Sequence, residues 1–517
     1  MRTFSIATVL SIALIAWSIR VGSNQVPVIA DEKEVRVTCG TSCHAYPPPD
    51  ILPRSAWPTA VARMTLFREG LSEPRVPRGT LAGKVVLSED MERALAFYVS
   101  RAPVRLPPPE PWPQPDPSAQ TRFRRRSMAP VNLKGAPGIS NVRFLDLDGD
   151  GALEVVATDM RHGLVLRGNP KDLAGELTTI AKVPHPAHTE LADVDGDGLR
   201  DLLVADLGLF LPADDEKGAA VWLRRLKNGE YEPHTYGEFP RVADVRATDF
   251  DRDGKLELLV GAFGWRKVGH IALLRTAPRP GGTPDFTART RLDERSGTVN
   301  VHPVDSNGDG RMDFIALISQ QHEQVVVFLN QGSSFKPQTI YAAPHPNWGS
   351  SGMDVVDLDK DGDLDVLLAH GDTLDDGLVK PYHGIQWLEN RGAYPFTEHA
   401  LATLAGVHPV KAADLDGDGD LDIVSGAFFP PDAIGATPKL PSLAWLEQVA
   451  PGRFERRALE LGSPLHASLD AADFDGDGDI DLAVGNLSAE REMAAWVEIW
   501  ENQTVTFRGA DRRFPRQ

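Results

Sequence analysis

The 517-residue chain has only two cysteines, Cys39 and Cys43, too few for a disulfide framework. It also lacks an excess of basic residues, since 54 lysines and arginines stand against 73 acidic residues and the formal net charge is -19. This balance argues against nucleic acid as a partner, because a binder needs a basic face to displace counterions. The length exceeds that of one ordinary domain, so we expect two or more folding units.

Long apolar runs are missing except at the N-terminus. There Arg2 precedes an apolar run from Phe4 to Trp17, which is shorter than the roughly 20 residues of a membrane span and suits the apolar region of an export signal. Small residues at 21–23 offer a cleavage site. We therefore predict that residues 1–25 are a signal peptide or an uncleaved membrane anchor, and that the protein is periplasmic or extracellular.

The chain has no nucleophile motif, no glycine-rich phosphate loop and no zinc-ligand helix. Its acidic residues are instead concentrated in short, regular clusters, and acid gathered in this way is typical of bound cations. The sequence therefore favours a binding or electron-carrying protein over an enzyme, without deciding the question.

A nine-residue pattern, D-x-[D/N]-x-D-G-x-x-[D/E], recurs seven times at intervals of 47 to 59 residues. Short apolar stretches precede and follow each copy, and a later stretch often ends in a phrase such as Trp-Leu-Glu-Asn at 387–390. A unit of this length accommodates four short strands, which is one propeller blade. We therefore predict an all-β, seven-bladed β-propeller over residues 122–510, with a strand near 122–133 completing the last blade.

The chemistry of the repeated loop points to calcium. Ca²⁺ takes about six to eight oxygen ligands, which acids at positions 1, 3 and 5 can supply when the loop curls, with glycine at position 6 permitting the sharp turn. An EF-hand fits poorly, since the flanking segments are β and the closing acid is at position 9. These loops resemble the calcium loops of FG-GAP/VCBS propellers, including those of integrin α-subunits.

That resemblance implies up to seven, mainly structural, calcium sites. In chain order, the loops (first to seventh) would bind the ion through these side chains: Asp146, Asp148, Asp150 and Glu154; Asp193, Asp195, Asp197 and Asp201; Asp249, Asp251, Asp253 and Glu257; Asp305, Asn307, Asp309 and Asp313; Asp357, Asp359, Asp361 and Asp365; Asp414, Asp416, Asp418 and Asp422; Asp473, Asp475, Asp477 and Asp481. Asn307 removes one negative charge, so the fourth site is expected to be weaker.

Ahead of the repeats, a proline-rich linker covers residues 105–121, and residues 28–104 form a separate segment. Apolar residues at helical spacing predict helices over 57–70 and 88–101. The chain thus divides into a signal, a small helical domain, a linker and the propeller.

The second motif is Cys39-Gly-Thr-Ser-Cys43-His44. It resembles the haem attachment motif of c-type cytochromes, with one residue more between the cysteines than usual, and the segment resembles small cytochrome domains fused to VCBS propellers. The resemblance implies one haem c, thioether bonds at both cysteines, His44 as an iron ligand and Met64 as the distal ligand, with Met91 as the alternative. A structural disulfide, or another metal bound with His44, remains open.

Two further features are predicted. Histidines shortly before four loops (His188, His302, His408 and His466) could line a central channel, although packing and hydrogen bonding near the axis are favoured. Long loops at 210–218, 371–384 and 428–442 are expected to cluster on one face and form either a partner or glycan surface or a surface without a role.

Three functions follow from these patterns. The first is electron transfer by a haem-carrying calcium propeller that docks a redox partner or an extracellular protein or polymer. The second is a non-redox adhesion module with a Cys39–Cys43 disulfide. The third is a haem-linked propeller dehydrogenase or polysaccharide-active enzyme. Because one fold hosts many functions, the fold alone does not choose between them.

Overall fold

The computed structural model describes residues 30–40, 44–74, 76–77, 79–115, 122–276, 284–488 and 492–504. The predicted signal at 1–25 and Cys43 lie outside these ranges. None of the helices within them has the length and apolar character needed to cross a membrane. The described chain is mostly β, with a small helical segment before the strands.

The helical segment contains α1 (Glu32–Gly40), α2 (Trp57–Arg68) and α3 (Glu89–Arg101), so the helices predicted over 57–70 and 88–101 are confirmed. Proline in the first turn of α2 suits a helix start, because its N–H would be unpaired there anyway. Trp57 of α2 stacks on Tyr98 of α3 with ring centroids 3.7 Å apart, and both side chains are fully buried. These two rings form the centre of the helical core.

Beyond the linker, the described residues form 28 strands. The first nine are β1 (Phe123–Pro130), β2 (Ile139–Leu145), β3 (Glu154–Asp159), β4 (Leu164–Gly168), β5 (Glu176–Lys182), β6 (Pro186–Ala192), β7 (Asp201–Asp206), β8 (Gly218–Arg225) and β9 (Tyr231–Phe239). The next eight are β10 (Val242–Thr248), β11 (Glu257–Ala262), β12 (His270–Arg275), β13 (Ala288–Asp293), β14 (Thr298–Val304), β15 (Asp313–Ile318), β16 (Gln324–Asn330) and β17 (Phe335–Ala342). The last eleven are β18 (Ser350–Val356), β19 (Asp365–His370), β20 (Gly384–Glu389), β21 (Thr397–Thr403), β22 (Val407–Ala413), β23 (Asp422–Ala427), β24 (Pro441–Ala450), β25 (Arg453–Leu461), β26 (His466–Ala472), β27 (Asp481–Asn486) and β28 (Val497–Asn502).

Four consecutive antiparallel strands form each of five sheets, which begin at β6, β10, β14, β18 and β22. The remaining strands form one eight-stranded sheet in the order β2-β3-β4-β5-β1-β28-β27-β26. It consists of two further four-stranded units joined where β1 and β5 pair in parallel at Ala129 and Glu176. Within it β1 pairs antiparallel with β28, from Phe123 opposite Asn502 to Met128 opposite Val497. The prediction that a strand near 122–133 completes the last unit is therefore confirmed.

The first strands of successive units contact one another in the order β2, β6, β10, β14, β18, β22 and β26, and β26 contacts β2 again. The second strand of every unit is buried along its whole length, because its short Val, Leu, Ile and Ala runs are covered by sheets on both faces. This closed arrangement of four-stranded sheets is a β-propeller-like fold.

Three aspartates on the first strands tie neighbouring sheets together; we call them the inter-sheet aspartates. Asp244 accepts a hydrogen bond from the backbone N–H of Val301 at 3.0 Å, and Asp354 accepts one from Ala412 at 3.1 Å. Asp470 accepts one from Phe144 at 2.9 Å, across the junction between the last unit and the first. Each bond joins a first strand to the first strand of the next sheet.

Three of the four histidines that precede the acidic loops have close polar partners in the structure. His188 Nδ1 lies 3.0 Å from the carboxylate of Asp244, and His466 is fully buried with Nε2 2.7 Å from Glu460. His408 donates from Nδ1 to the carbonyl of Gly406 at 3.1 Å. Burial lowers the pKa of His302 to about 4, so this ring is neutral near pH 7. These contacts agree with the favoured packing role.

Candidate functional site

A cavity of about 550 Å³ lies between the helical segment and one end of the sheets. Its helical wall includes Cys39, His44 and Met64, which are three of the four residues predicted to attach or ligate a haem. Met91, the alternative distal ligand, also lines this wall. α1 carries Cys39, α2 carries Met64 and α3 carries Met91, so tertiary packing of three helices brings these side chains to one space. The volume is that of a small-molecule or cofactor site.

His44 is oriented as a ligand-competent imidazole. Its Nδ1 lies 2.7 Å from the carbonyl oxygen of Ala45, so Nδ1 carries the proton and donates it. This tautomer leaves the Nε2 lone pair free to bind a metal, and a backbone carbonyl is a common partner for the other nitrogen of a metal-bound histidine. Burial lowers the pKa of His44, which also favours the neutral ring.

The Cys39 side chain is buried, with 8% of its surface exposed. Burial raises the pKa of its thiol to about 11, so the group is neutral at physiological pH. Cys43, its predicted partner in haem attachment or in a disulfide, lies outside the described residues. The attachment by two thiols and the alternative disulfide therefore both stay predictions.

The opposite wall of the cavity belongs to the sheets and includes Glu323, Asp372, Asp376 and Lys380. Glu323 is 3% exposed and accepts a hydrogen bond from the backbone N–H of Ser350 at 2.9 Å. Burial raises the pKa of Glu323 to about 8, and burial together with neighbouring acids raises that of Asp372. Lys380 is buried and pairs with Asp376 at 3.0 Å. This wall is polar, whereas the helical wall is mainly apolar.

The helical segment is held on the sheets by specific polar contacts. Tyr382 Oη lies 3.3 Å from the carbonyl oxygen of Ile51, and Arg63 donates to the carbonyl of Asp375 at 3.0 Å. Both sheet residues belong to the loop at 371–384, which was predicted as part of a partner or glycan surface. Part of that loop contacts the chain's own helices, because Leu378 and Tyr382 pack into the helical core.

The second set of site residues lies in the seven acidic loops, each between the first and second strand of a unit. In all seven, the N–H of the position-6 glycine donates to the first acid at 2.8–3.2 Å. The N–H of position 2 donates to the closing acid, also at 2.8–3.2 Å. Gly151, with φ of +89°, illustrates why position 6 requires glycine. These bonds curl each loop around its own carboxylates.

Side-chain oxygens in at least five of these loops converge to within 4.8 Å of one another. The converging sets are Asp146, Asp148 and Glu154; Asp193, Asp195 and Asp197; Asp249, Asp251 and Glu257; Asp357, Asp359 and Asp361; and Asp414, Asp416 and Asp422. Each set contains three of the four side chains predicted for its loop. In the first loop the remaining acid, Asp150, accepts a hydrogen bond from the N–H of Ala152 at 2.7 Å.

The loops fit a hard divalent cation. Within the described residues, Oδ1 of Asp193, Asp305 and Asp357 is buried without a hydrogen-bond partner, which is costly unless a cation compensates it. Burial and the neighbouring loop acids raise the pKa of Asp481 to about 8, and burial raises that of Asp422 to about 7. Convergent carboxylates with unpaired oxygens are the donor set that Ca²⁺ takes.

Comparison with known proteins supports the repeat assignment. The model of the FG-GAP-like repeat family matches residues 193–260 and 305–368, two segments that each contain two acidic loops. The helical segment lies outside both matches. No curated protein matches the chain.

Solved structures are similar only at a coarse level. A streptogramin B lyase structure is 10% identical, covers 74% of this chain and 98% of its own, and has a TM-score of 0.44. BBS1N in complex with ARL6DN, soaked with lead, is 11% identical, covers 73% of this chain and 96% of its own, and has a TM-score of 0.43. At these scores neither likeness bears on function. The chain is a mostly β protein with a propeller-like arrangement of sheets and FG-GAP-like repeats in the two matched segments.

Proposed function

We propose that this protein is an exported, seven-bladed, calcium-binding propeller that holds one haem c in the cavity between its helices and sheets and acts in electron transfer. One observation carries the proposal: Cys39, His44 and Met64, named from the sequence as haem residues, line a single cavity of about 550 Å³. His44 in the Nε2-acceptor tautomer adds support. The expected partner is a redox protein or an extracellular protein or polymer.

The seven-blade count is supported by the five separate four-stranded sheets and the two units joined through β1. Each unit would be one blade, and the cyclic contacts of the first strands would close the ring. Export is proposed because FG-GAP-like repeats usually occur in extracellular or periplasmic proteins. An oxidising compartment is also where two cysteine thiols can be joined in a disulfide.

Calcium would act structurally. Each ion would neutralise the acids of one loop and fix the turn between the first and second strands of a blade. The loops hold much of the acid behind the formal charge of -19, so without ions like charges would repel each other at close range.

In the cavity, His44 would bind iron through Nε2, Cys39 would supply one attachment thiol and Met64 would approach from α2. A bound haem would supply one-electron transfer, and a methionine ligand would raise its reduction potential. The helices would exclude water from the apolar wall, while Glu323 and the pair Lys380–Asp376 would form the polar wall.

The test is a visible spectrum of the denatured, washed protein, produced in a host that attaches haem to exported proteins. The proposal expects c-type absorption that survives denaturation and vanishes in a Cys39→Ala/Cys43→Ala variant. In the native ferric protein, Met64→Leu should remove the methionine–iron charge-transfer band, whereas Met91→Leu should retain it.

Absence of haem together with absence of free thiols would overturn the electron-transfer proposal and leave a disulfide-bearing adhesion module. Loss of the band in Met91→Leu alone would move the distal ligand to Met91. Turnover of sugars or alcohols by the haem-loaded protein with a soluble electron acceptor would make it an enzyme rather than a carrier.

A further inference from the structure

Equivalent residues at the end of the third strand of a blade lie beside the acidic loop, and backbone hydrogen bonds identify them. In five blades, a residue at this end of the strand donates its N–H to the closing acid of the loop at 2.6–2.8 Å. These donors are Arg225, Asn330, Asn390, Gln448 and Asn502. The residues immediately before them therefore occupy equivalent places, which we call the flanking position: Arg224, Leu329, Glu389, Glu447 and Glu501.

At the second loop the flanking residue is a cation that contacts two predicted calcium ligands. Arg224 Nε lies 2.5 Å from Asp195 Oδ2, and its terminal nitrogen lies 3.1 Å from Asp197 Oδ2. The Asp195 side chain is only 6% exposed, so solvent screens this pair weakly. The guanidinium thus binds two of the four side chains predicted to bind calcium in this loop, while Oδ1 of the first acid, Asp193, is left without a hydrogen-bond partner.

The first loop contains a guanidinium from a different strand position. Arg167 of β4 contacts both the closing acid Glu154 and, at 2.9 Å, Asp148. Arg200 adds a second cation, 3.3 Å from Asp146 Oδ2. Three of the four predicted ligands of this loop are therefore paired with arginine.

The fifth, sixth and seventh loops have the opposite charge at the flanking position. There Glu389, Glu447 and Glu501 add a carboxylate beside the loop, and each pairs with a cation that approaches it, as Arg126 does with Glu501 at 2.6 Å. In the described part of the chain, no arginine contacts two ligand carboxylates of these loops. At the third and fourth loops the corresponding contacts are single and long: Lys255 to Asp253 at 3.5 Å and Arg311 to Asp309 at 4.0 Å.

A guanidinium and Ca²⁺ compete directly for the same oxygens. Both bind carboxylates through electrostatics, and two cations a few ångströms apart repel each other. For calcium to enter the first or second loop, the arginine must leave, and its hydrogen bonds to the loop acids must be replaced. No such exchange is needed at the fifth to seventh loops.

We infer that the seven loops fall into two classes: Arg167 and Arg224 serve as built-in cations of the first and second loops, and calcium fills only the third to seventh. This inference rests on the proposed calcium binding. The inference refines that proposal: at calcium concentrations that saturate the third to seventh loops, the folded chain should bind about five ions rather than seven.

The test counts calcium by elemental analysis after the full-length protein is equilibrated with a calcium buffer and separated from unbound ion. The parent should hold about five ions. Arg167→Leu/Arg224→Leu should hold about seven, because both guanidinium groups are removed from the loop acids. Leucine suits the Arg224 site because it already occupies the flanking position as Leu329 of the fourth blade. Arg167→Gln/Arg224→Gln serves as a second variant if the first fails to fold.

The matched control is Arg275→Leu. Arg275 follows Leu274, which pairs with Leu258 as Leu223 pairs with Leu202, so it stands at the flanking position of the third loop. Its guanidinium donates to Thr290 Oγ1 at 3.4 Å and, among the described residues, acts on the closing acid Glu257 only at longer range. Its count should equal that of the parent. Seven ions in the parent, or no gain in either double variant, would overturn the two classes while leaving calcium binding intact. No bound calcium at all would instead overturn the proposed calcium binding itself.

Discussion

Replacing Asp244 by alanine should destabilise the ring more than any other single change at the inter-sheet aspartates. Asp244 is fully buried and holds three partners: Arg246 Nε at 3.0 Å, His188 Nδ1 at 3.0 Å and the N–H of Val301 at 3.0 Å. Removing the carboxylate leaves Arg246 buried with Glu190, 2.8 Å away, as its main counter-charge. It also leaves the Val301 N–H without an acceptor.

The expected loss follows from these partners. Removing one member of a buried ion pair costs about 3–5 kcal/mol, and an orphaned buried N–H costs about 1–3 kcal/mol. Because Glu190 still pairs with Arg246, we place the total near 4 kcal/mol, and we expect the m-value to change little.

Asp354→Ala is the matched control. Asp354 makes the equivalent bond to Ala412 N–H, but its ion-pair partner Lys411 is 33% exposed, so the pair lies in contact with water. A pair of this kind contributes at most about 1 kcal/mol, and we expect a total loss of about 1–2 kcal/mol. The assay is urea unfolding of the calcium-loaded protein followed by tryptophan fluorescence. Equal losses in the two variants, or a loss below about 1 kcal/mol for Asp244→Ala, would refute the reasoning.

The same pair gives a dependence on pH. Burial alone would raise the pKa of Asp244, but Arg246 and His188 outweigh it and hold the pKa well below its usual range. In the unfolded chain, the aspartate carboxyl has a pKa of about 3.9. Its stabilising contribution is therefore fully present above that pH and is lost as the pH falls below it. The difference in stability between parent and Asp244→Ala should shrink in acid.

Three more predictions concern calcium, a buried acid and ring closure. Excess EDTA should lower the melting temperature sharply, because each saturated site contributes about 3 kcal/mol at a hundredfold excess over its Kd; an unchanged melting curve would contradict structural calcium. The pKa of Glu323 is raised to about 8 by burial, so the parent should lose stability as pH rises from about 4.3 to 8, and Glu323→Gln should flatten that part of a plot of melting temperature against pH. Gly175→Ala should lower the free energy of unfolding by several kcal/mol, since the φ of Gly175 is +63° and a Cβ would lie 2.2 Å from the Ser127 carbonyl oxygen. The control Gly229→Ala has open space around it and should lower that free energy by only about 1 kcal/mol. Similar melting temperatures for the two variants would rule out a closure role for Gly175.

The propeller-like part was predictable because each unit repeats the same local signals. The loop pattern, the flanking apolar runs and the closure by β1 all follow from period-two strands separated by Asp-Gly turns. The helices α2 and α3 were likewise readable from spacing. α1, with nine residues, is shorter than the window in which helical periodicity can be measured.

The cavity was only half predictable. Its helical wall came from a motif, but its polar wall depends on where the helical segment sits. That placement rests on contacts such as Arg63 to Asp375, between residues 312 apart in the chain. Glu323 lies in a turn where its φ is +46°, and no sequence pattern marks a buried acid with that backbone. Long-range docking of this kind leaves no periodic signal.

The arginines in the first two loops were also missed, for a related reason. Arg167 and Arg224 lie 13 and 27 or more residues from the acids they contact. Their relation to the loops becomes visible only through strand register, which the sequence does not state. The same register places Arg224 at the position that glutamate occupies in the fifth to seventh blades.

The pairing of β1 with β28 has a mechanical consequence. Phe123 stands opposite Asn502, so the chain enters and leaves this ladder at the same end. A force pulling residue 123 away from residue 502 would load one pair of backbone hydrogen bonds at a time and peel the strands apart, whereas a force along opposed ends would load all of them together. If the protein is tethered through its N-terminal side and held by a partner bound near its C-terminal strand, the ring should open at low force, and single-molecule pulling between these two points should show an early, separate unfolding step.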